Sequence, residues 1–147
     1  EENELKRILL THSRSVADKA LWIADRHPEL NLDRQFLEEA ALLHDIGKPF
    51  SVIETNGVRH FPNHPTISKK MSKTILTRLG FSEDYINKIC YLVEYHDTMI
   101  TKDDIENDYD LSFKRYLIQE CDALAHNPNK LEKRKKYLDY TKKLLKK

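Results

Sequence analysis

The chain is poor in glycine, cysteine and tryptophan, and it contains no long apolar run. Its 147 residues include three glycines, two cysteines and one tryptophan. Three scattered glycines do not form a glycine-rich phosphate loop. Cys90 and Cys121 lack the Cys-x-x-Cys spacing of metal and redox motifs, so we predict two buried thiols, reduced as in an intracellular protein. No apolar stretch approaches the roughly 20 residues that a membrane span requires, so no membrane contact is expected.

The first ten residues, EENELKRILL, also lack a targeting pattern. They begin with acidic residues, whereas a secretory signal begins with a basic segment. We therefore expect a cytoplasmic protein, and we make no prediction about its oligomeric state. Because the first residue is glutamate rather than methionine, two alternatives stay open: a stand-alone protein or a piece of a longer one.

The sequence is rich in apolar residues at helical spacing. These residues recur every three or four positions, charged residues fill the places between them, and glycines or prolines separate the segments. This pattern predicts an all-α bundle of about six helices in a single domain, residues 1–147, with its core over about 10–130. The helices are predicted at residues 13–27, 34–47, 67–80, 85–97, 111–127 and 131–147.

Single residues predict where some of these helices begin and end. Asp33 and Ser82 are suited to cap helix starts, because their side chains accept hydrogen bonds from the first free amides. Gly47 and Gly80 are suited to end helices, and Gly47 is expected to turn the chain away. The predicted buried stripe of the third helix consists of Ile67, Met71, Ile75 and Leu79.

The connecting segments and the C-terminal end have distinct compositions. An Asn56-Gly57 turn between two short β-prone runs favours a small hairpin near residues 51–61. The acidic stretch 101–110 is predicted to be a solvated loop. Residues 130–147 predict a basic, amphipathic C-terminal helix. Its basic face is most simply a solvated surface, and the alternative is a weak contact surface for nucleic acid.

The stretch LLHDIGKPF, residues 42–50, carries the most informative pair of residues. His44 and Asp45 follow an apolar helix face, and a buried aspartate needs a partner because an unpaired buried charge is costly. Adjacent helical residues point about 100° apart, so both reach one ion only if it lies against the helix end. Lys48 is close enough in sequence to contact an anion held there.

Other segments offer partners for this doublet. His12, His64 and His96 lie near the starts or ends of apolar helix faces, and Asp122 lies within one. Individually, each is more often a hydrogen-bonded core residue than a metal ligand; together they favour a metal site.

Four further residues are interpreted more simply. His27 and His60 are predicted to lie at the surface, and His126 is predicted to be a helix-end histidine. For Asp97, a capping or supporting role and a ligand role stay open.

These residues resemble a known signature. His12, the His44-Asp45 doublet and Asp122 resemble the H…HD…D pattern of the HD-domain metal-dependent phosphohydrolases. The segments LLHDIGKP, ICYLVEYHD and ECDALAHNP resemble most closely the HD domain of bacterial CCA-adding tRNA nucleotidyltransferases. The chain has Asn-His-Pro around His64, where that group usually has Gly-His-Glu.

The resemblance implies a site with one or two divalent transition-metal ions. One ion would be held by His12, His44, Asp45 and Asp122. Relatives with histidines placed like His64 and His96 hold a second ion bridged by the doublet's aspartate; in one-metal relatives those histidines would bind substrate phosphate instead. Imidazole and carboxylate ligands suit Zn, Mn, Fe or Ni without distinguishing them.

The implied function is hydrolysis of a phosphomonoester or phosphodiester bond in a nucleotide or RNA end by metal-activated water. Asp45 and Lys48 are the predicted catalytic residues. Lys48, His64, Arg14 and Arg78 are the predicted substrate-binding residues. Two alternatives remain: a helical RNA- or nucleotide-binding module with a non-catalytic metal site, and a structural or signalling bundle.

Overall fold

The computed structural model describes residues 2–126 and 128–146, and within them the chain is almost entirely helical. Asn127 and Lys147, which belong to two of the predicted helices, lie outside the described residues. The helices are α1 Glu2–Arg26, α2 Arg34–Leu43, α3 His64–Arg78, α4 Glu83–Glu94, α5 Lys102–Asn107, α6 Tyr109–Ala125 and α7 Pro128–Leu145; β1 Ile53–Thr55 and β2 Val58–His60 are the strands, and short 3₁₀ turns span Pro28–Leu30 and Lys48–Phe50. The predicted all-α bundle is confirmed.

The predicted helix caps are present at α2 and α4. The Asp33 carboxylate accepts a hydrogen bond from the Phe36 amide at 3.1 Å, and the Ser82 hydroxyl accepts one from the Tyr85 amide at 3.2 Å. The end of α2 differs from the prediction, because the helix stops at Leu43 and not at Gly47. The chain continues through a tight turn, so His44 and Asp45 project from the helix end.

The stretch predicted as an acidic loop contains a short helix, α5, so that prediction is wrong. The Thr101 hydroxyl accepts from the Asp104 amide, and the Asp104 carboxylate accepts from the Thr101 amide. This reciprocal capping box stabilises the first turn of a helix that is only six residues long. A contact from α6 adds to it, since Arg115 lies 3.3 Å from the same carboxylate.

The hairpin predicted near residues 51–61 is confirmed. Strands β1 and β2 pair antiparallel, with Ile53 opposite His60. Asn56 and Gly57 have φ values of 53° and 78°, the left-handed conformation that a tight two-residue turn requires. Both strands are exposed, so the hairpin lies outside the core.

The buried face of α3 is not the apolar stripe predicted for it. The buried residues are His64, Ser68, Ser72 and Leu76, whereas Leu79 is 67% exposed. Small serines face inward because the backbone of the turn after α2 approaches α3 closely. A Cβ atom on Gly47 would lie 2.6 Å from the Ser68 amide nitrogen. Gly47 has φ −81°, so its role is this close approach and not a left-handed turn.

The core forms where α1 packs against α2 and α6, α3 packs against α4, and α6 packs against α7. It is built from aliphatic and aromatic side chains of these helices, together with both cysteines. Cys90 and Cys121 are buried and free, as predicted. None of the described helices combines the length and apolar character needed to cross a membrane.

Candidate metal centre

Five parts of the fold bring six predicted ligands into one buried cluster. His12 comes from α1, His44 and Asp45 from the end of α2, His64 from the first residue of α3, His96 from just after α4, and Asp122 from α6. Their side chains are between 1% and 11% exposed. The six residues form two groups, each compact enough for one ion, and Asp45 belongs to both.

The first group consists of His12, His44, Asp45 and Asp122. His12 Nε2 lies 2.6 Å from Asp122 Oδ1, and His44 Nε2 lies 3.3 Å from the same oxygen. His44 Nε2 is also 3.1 Å from Asp45 Oδ2. Two imidazole nitrogens and two carboxylate oxygens therefore converge, and this is a donor set typical of a transition-metal site.

The second group consists of Asp45, His64 and His96. Asp45 Oδ1 lies 3.3 Å from His64 Nε2 and 3.2 Å from His96 Nε2. The two histidine nitrogens are 3.4 Å apart. Asp45 therefore presents Oδ2 to the first group and Oδ1 to the second.

The second nitrogen of three of these histidines has a fixed hydrogen-bond partner. His44, His64 and His96 each place Nδ1 against the backbone carbonyl three residues earlier, those of Ala41, Phe61 and Val93. A carbonyl accepts only, so Nδ1 carries the proton and donates it, and the lone pair of neutral imidazole lies on Nε2. Metal-ligating histidines are oriented in this way.

This arrangement leaves the inner oxygen of Asp45 without a partner. Oδ1 is buried and accepts no hydrogen bond, and the two nitrogens that face it would present lone pairs. Three acceptors cannot satisfy one another, so positive charge is required between them, supplied by protons or by a metal ion. The residues present therefore fit a divalent transition-metal ion at each group.

The electrostatics of the metal-free cluster lead to the same conclusion. Burial alone would lower the pKa of His64, but the neighbouring carboxylates of Asp45 and Asp97 raise it to about 9. The Asp45 and Asp122 carboxyls have lowered pKa values despite their burial, because the surrounding histidines favour the anions. A metal ion that binds here replaces these protons, so metal affinity and proton affinity compete.

The predicted substrate-binding cations have different surroundings. Lys48 Nζ lies 3.2 Å from Asp45 Oδ2 and 5.1 Å from the Phe61 ring centre, at the edge of the cluster. Arg14 is exposed and pairs with Asp18 and Glu38 instead. Arg78 is exposed at the end of α3, about 20 Å along the helix from His64. The structure therefore brings Lys48 to the cluster, but neither arginine.

One residue that contacts the cluster was not predicted from the sequence. Arg134 of α7 donates to Asp122 Oδ2 at 2.8 Å, and its other terminal nitrogen is 3.9 Å from Asp97 Oδ1. Its position one turn beyond Lys130 in a strongly basic helix gave no signal, because most cations of α7 are solvated.

Two residues that were not among the predicted ligands also adjoin the cluster. His126 Nε2 lies 3.4 Å from Asp122 Oδ1, and the centre of its ring lies 4.4 Å from that of His12, with the rings tilted by 35°. Asp97 lies 3.3 Å from His64 Nε2 and 3.5 Å from His96 Nε2. Asp97 therefore supports the second ligand group. His27 and His60 lie at the surface, as predicted.

A buried arginine holds the segment that carries His96 and Asp97. Arg115 of α6 is 2% exposed, and it donates to the backbone carbonyls of Tyr95, Thr98 and Met99 at 2.8–3.3 Å. These bonds fix the backbone on both sides of His96. The side chain thus positions the second ligand group without touching it.

Comparison with known proteins gives one family. The family whose sequence model matches the chain is described as the HD domain, and the match covers residues 9–141. No curated protein matches the chain at a significant level.

Proposed function

The chain belongs to the HD-domain family, and from this membership and the buried histidine–aspartate cluster we propose that it is a metal-dependent phosphohydrolase. The family consists generally of metal-dependent hydrolases. The observation that carries the proposal is the Asp45 carboxylate, which faces one ligand group with each oxygen and has no hydrogen-bond partner for Oδ1. A purely structural bundle gives no reason for this costly arrangement.

The chain itself would supply ligands, orientation and charge. Divalent ions bound at such a site supply Lewis acidity and allow water to act as a nucleophile at neutral pH. Asp45 and the three histidines whose Nδ1–H groups are fixed would hold these ions in place. Lys48, at the edge of the cluster, would neutralise the charge that develops on the phosphate oxygens.

The thiols of the chain do not offer a competing nucleophile. Burial raises the pKa of Cys121 to about 12, and it also raises the pKa of Cys90. Both are therefore protonated at neutral pH, and a protonated thiol is a poor nucleophile. This supports direct attack by water.

The substrate we propose is a nucleotide or an RNA end. Support comes from the resemblance of LLHDIGKP and ECDALAHNP to the HD domain of bacterial CCA-adding enzymes. A second candidate function, an RNA-binding module with a non-catalytic metal site, is favoured by one observation. Five lysines of α7 are exposed to solvent, namely Lys133, Lys135, Lys136, Lys142 and Lys143.

Metal analysis of the purified protein tests the proposal. We expect about two ions per chain after reconstitution, about one in His64→Ala, and an unchanged number in His60→Ala, which alters an exposed histidine. About one ion in both the wild type and His64→Ala would assign His64 and His96 to substrate phosphate.

Hydrolysis of bis(p-nitrophenyl) phosphate and p-nitrophenyl phosphate by the same preparations tests the chemistry. We expect activity that chelators remove and that Asp45→Ala abolishes. Absence of metal uptake, or full activity in Asp45→Ala, would overturn the proposed function. RNA binding by a preparation that hydrolyses neither compound would favour the second candidate.

A further inference from the structure

A buried serine of α3 holds the turn that carries the histidine–aspartate doublet. Ser68 Oγ accepts a hydrogen bond of 2.8 Å from the backbone amide of Gly47, 21 residues earlier in the chain. Both residues are buried, and Ser68 has no exposed surface. Gly47 follows Asp45 by two residues, so the bond acts on the backbone that carries both members of the doublet.

This bond connects the turn to a different part of the fold. The neighbouring amides of Ile46 and Lys48 donate to carbonyls within the turn itself, those of Leu43 and Asp45, at 3.2 and 3.1 Å. The Gly47 amide between them donates instead to a side chain of α3. Bonds within the turn fix its shape, whereas a bond to another element fixes where the turn lies.

The same helix carries a ligand of the second group. His64 is the first residue of α3 and Ser68 follows it by four residues, so the two side chains lie on one face of the helix. His64 Nε2 lies 3.3 Å from Asp45 Oδ1. The hydrogen bond of Ser68 therefore ties the helix that carries His64 to the turn that carries Asp45, one helical turn from the place where these two ligands meet.

The hydroxyl of Ser68 has no ready substitute at this position. A Cβ atom on Gly47 would lie 2.8 Å from Ser68 Oγ, so the two segments are in direct contact. Removal of the hydroxyl oxygen alone opens less space than a water molecule needs. An alanine at position 68 would therefore leave the buried Gly47 amide without an acceptor, which is costly. The turn would regain a partner for this amide only by moving away from α3.

We infer that Ser68 is a positioning residue of the metal centre, which sets the distance between Asp45 and His64. The inference rests on the proposed function for the role of these two ligands. Ser68 acts through the backbone of the turn and not as a ligand. The second group depends on it more than the first, because His12 and Asp122 of the first group come from α1 and α6, which pack directly against α2.

The next serine of α3 offers a matched control. Ser72 lies one turn further along the same buried face and, like Ser68, has no exposed surface. Its hydroxyl oxygen has no hydrogen-bond partner among the described residues. Ser68→Ala and Ser72→Ala therefore remove the same atom from the same face of the same helix, but only Ser68→Ala removes the acceptor of the turn.

Amide hydrogen exchange in the metal-free protein tests whether Ser68 holds the turn. We expect the Gly47 amide to exchange about tenfold faster or more in Ser68→Ala than in the wild type, as the loss of one hydrogen bond would give. In Ser72→Ala it should exchange at the wild-type rate. A wild-type rate at Gly47 in Ser68→Ala would overturn the inference. This measurement requires neither bound metal nor hydrolysis.

Titration with Co²⁺, followed by visible absorption, tests the effect on the metal centre. The absorption spectrum reports the ligand geometry around the ion, which a loss of global stability alone would not change. Ser68→Ala should bind the second ion about tenfold more weakly and with an altered spectrum, whereas Ser72→Ala should match the wild type. Equal effects of both variants, or wild-type binding and spectrum in Ser68→Ala, would overturn the inference. Absence of metal uptake by the wild type would instead overturn the proposed function.

Discussion

Arg134 donates a hydrogen bond of 2.8 Å to Asp122, so the last helix of the bundle holds a predicted metal ligand of the helix before it. Asp122 Oδ1 faces His12 and His44, whereas Oδ2 is occupied by the guanidinium. The two oxygens of this carboxylate therefore contact different groups. Arg134 leaves Oδ1 for the metal centre and fixes the rotation of the group.

Arg134→Gln should weaken the metal centre and the docking of α7. The substitution leaves a buried carboxylate without its cation, and the loss of a hydrogen bond to a charged group costs about 1.5–3 kcal/mol, towards the lower end for a partly exposed partner. We expect a lower midpoint of urea unfolding and a lower metal affinity. Arg78→Gln, at an exposed arginine of α3, should change stability by no more than about 0.5 kcal/mol. Equal effects of the two variants would contradict a special role for Arg134.

The stability of the metal-free protein should decrease between neutral and alkaline pH. The pKa of His64 is about 9 in the folded protein, above the value of about 6.5 for an ordinary histidine. A pKa that is higher in the folded than in the unfolded protein adds to the free energy of unfolding. This contribution is complete below pH 6.5 and is lost as the pH rises through 9. Urea unfolding of chelator-treated protein at pH 6 and pH 9.5 measures this difference. The His64→Gln variant should show a smaller difference in stability between the two pH values.

Metal-loaded protein should show the opposite trend. Metal ions compete with protons for histidine nitrogens, so the stabilisation by metal grows as pH rises from 5 to 8. The difference in unfolding midpoint between loaded and chelated protein should widen over that range. A difference that stays constant with pH would indicate that histidines do not bind the metal.

Gly47→Ala should destabilise the turn that carries His44 and Asp45. The added Cβ would meet the Ser68 backbone at 2.6 Å, and overpacking of this kind costs about 1–3 kcal/mol. Gly80→Ala offers a matched control, because its Cβ would meet no atom within 4 Å and its cost comes from a φ of +84° alone. Both variants should lose stability, but only Gly47→Ala should lose metal affinity. Unchanged metal affinity in Gly47→Ala would show that the close packing of this turn does not determine the positions of His44 and Asp45.

Arg115→Met should have a large effect although the residue touches no ligand. It removes the donors for three backbone carbonyls around His96 and one of the two partners described for the Asp104 carboxylate. A buried acceptor that is left without its donor typically costs about 1–3 kcal/mol. We expect a lower unfolding midpoint, together with a fall in metal content from about two ions towards one. A destabilised variant with full metal content would show that Arg115 supports the fold but not the second group.

The convergence of the predicted ligands was predictable because the chemistry of these residues is visible one by one. Asp45 and Asp122 stand out as carboxylates on apolar faces, and a buried carboxylate implies a partner. Helix caps such as Asp33 are similarly local, since the capping carboxylate and the amide that donates to it are three residues apart. The structure brings these residues to the places that the pattern indicates.

Features that depend on distant contacts were not predictable. The inward face of α3 is set by the approach of Gly47, 21 residues away from Ser68, and apolar periodicity favoured the neighbouring stripe. The helix at Lys102–Asn107 depends partly on Arg115 of α6. The role of Arg134 was not predicted for the same reason, because its neighbours in sequence are solvated cations and its partner lies in another helix.

The shared carboxylate of Asp45 has a consequence for the order in which ions bind. An ion at one ligand group would fix the rotation of the carboxylate and so prearrange the oxygen that the other group requires. Occupancy of the two positions is then thermodynamically linked, and the factor by which the first ion alters the affinity for the second must equal the reverse factor. The two ions would therefore not bind independently, and the occupancy of each position would depend on the other.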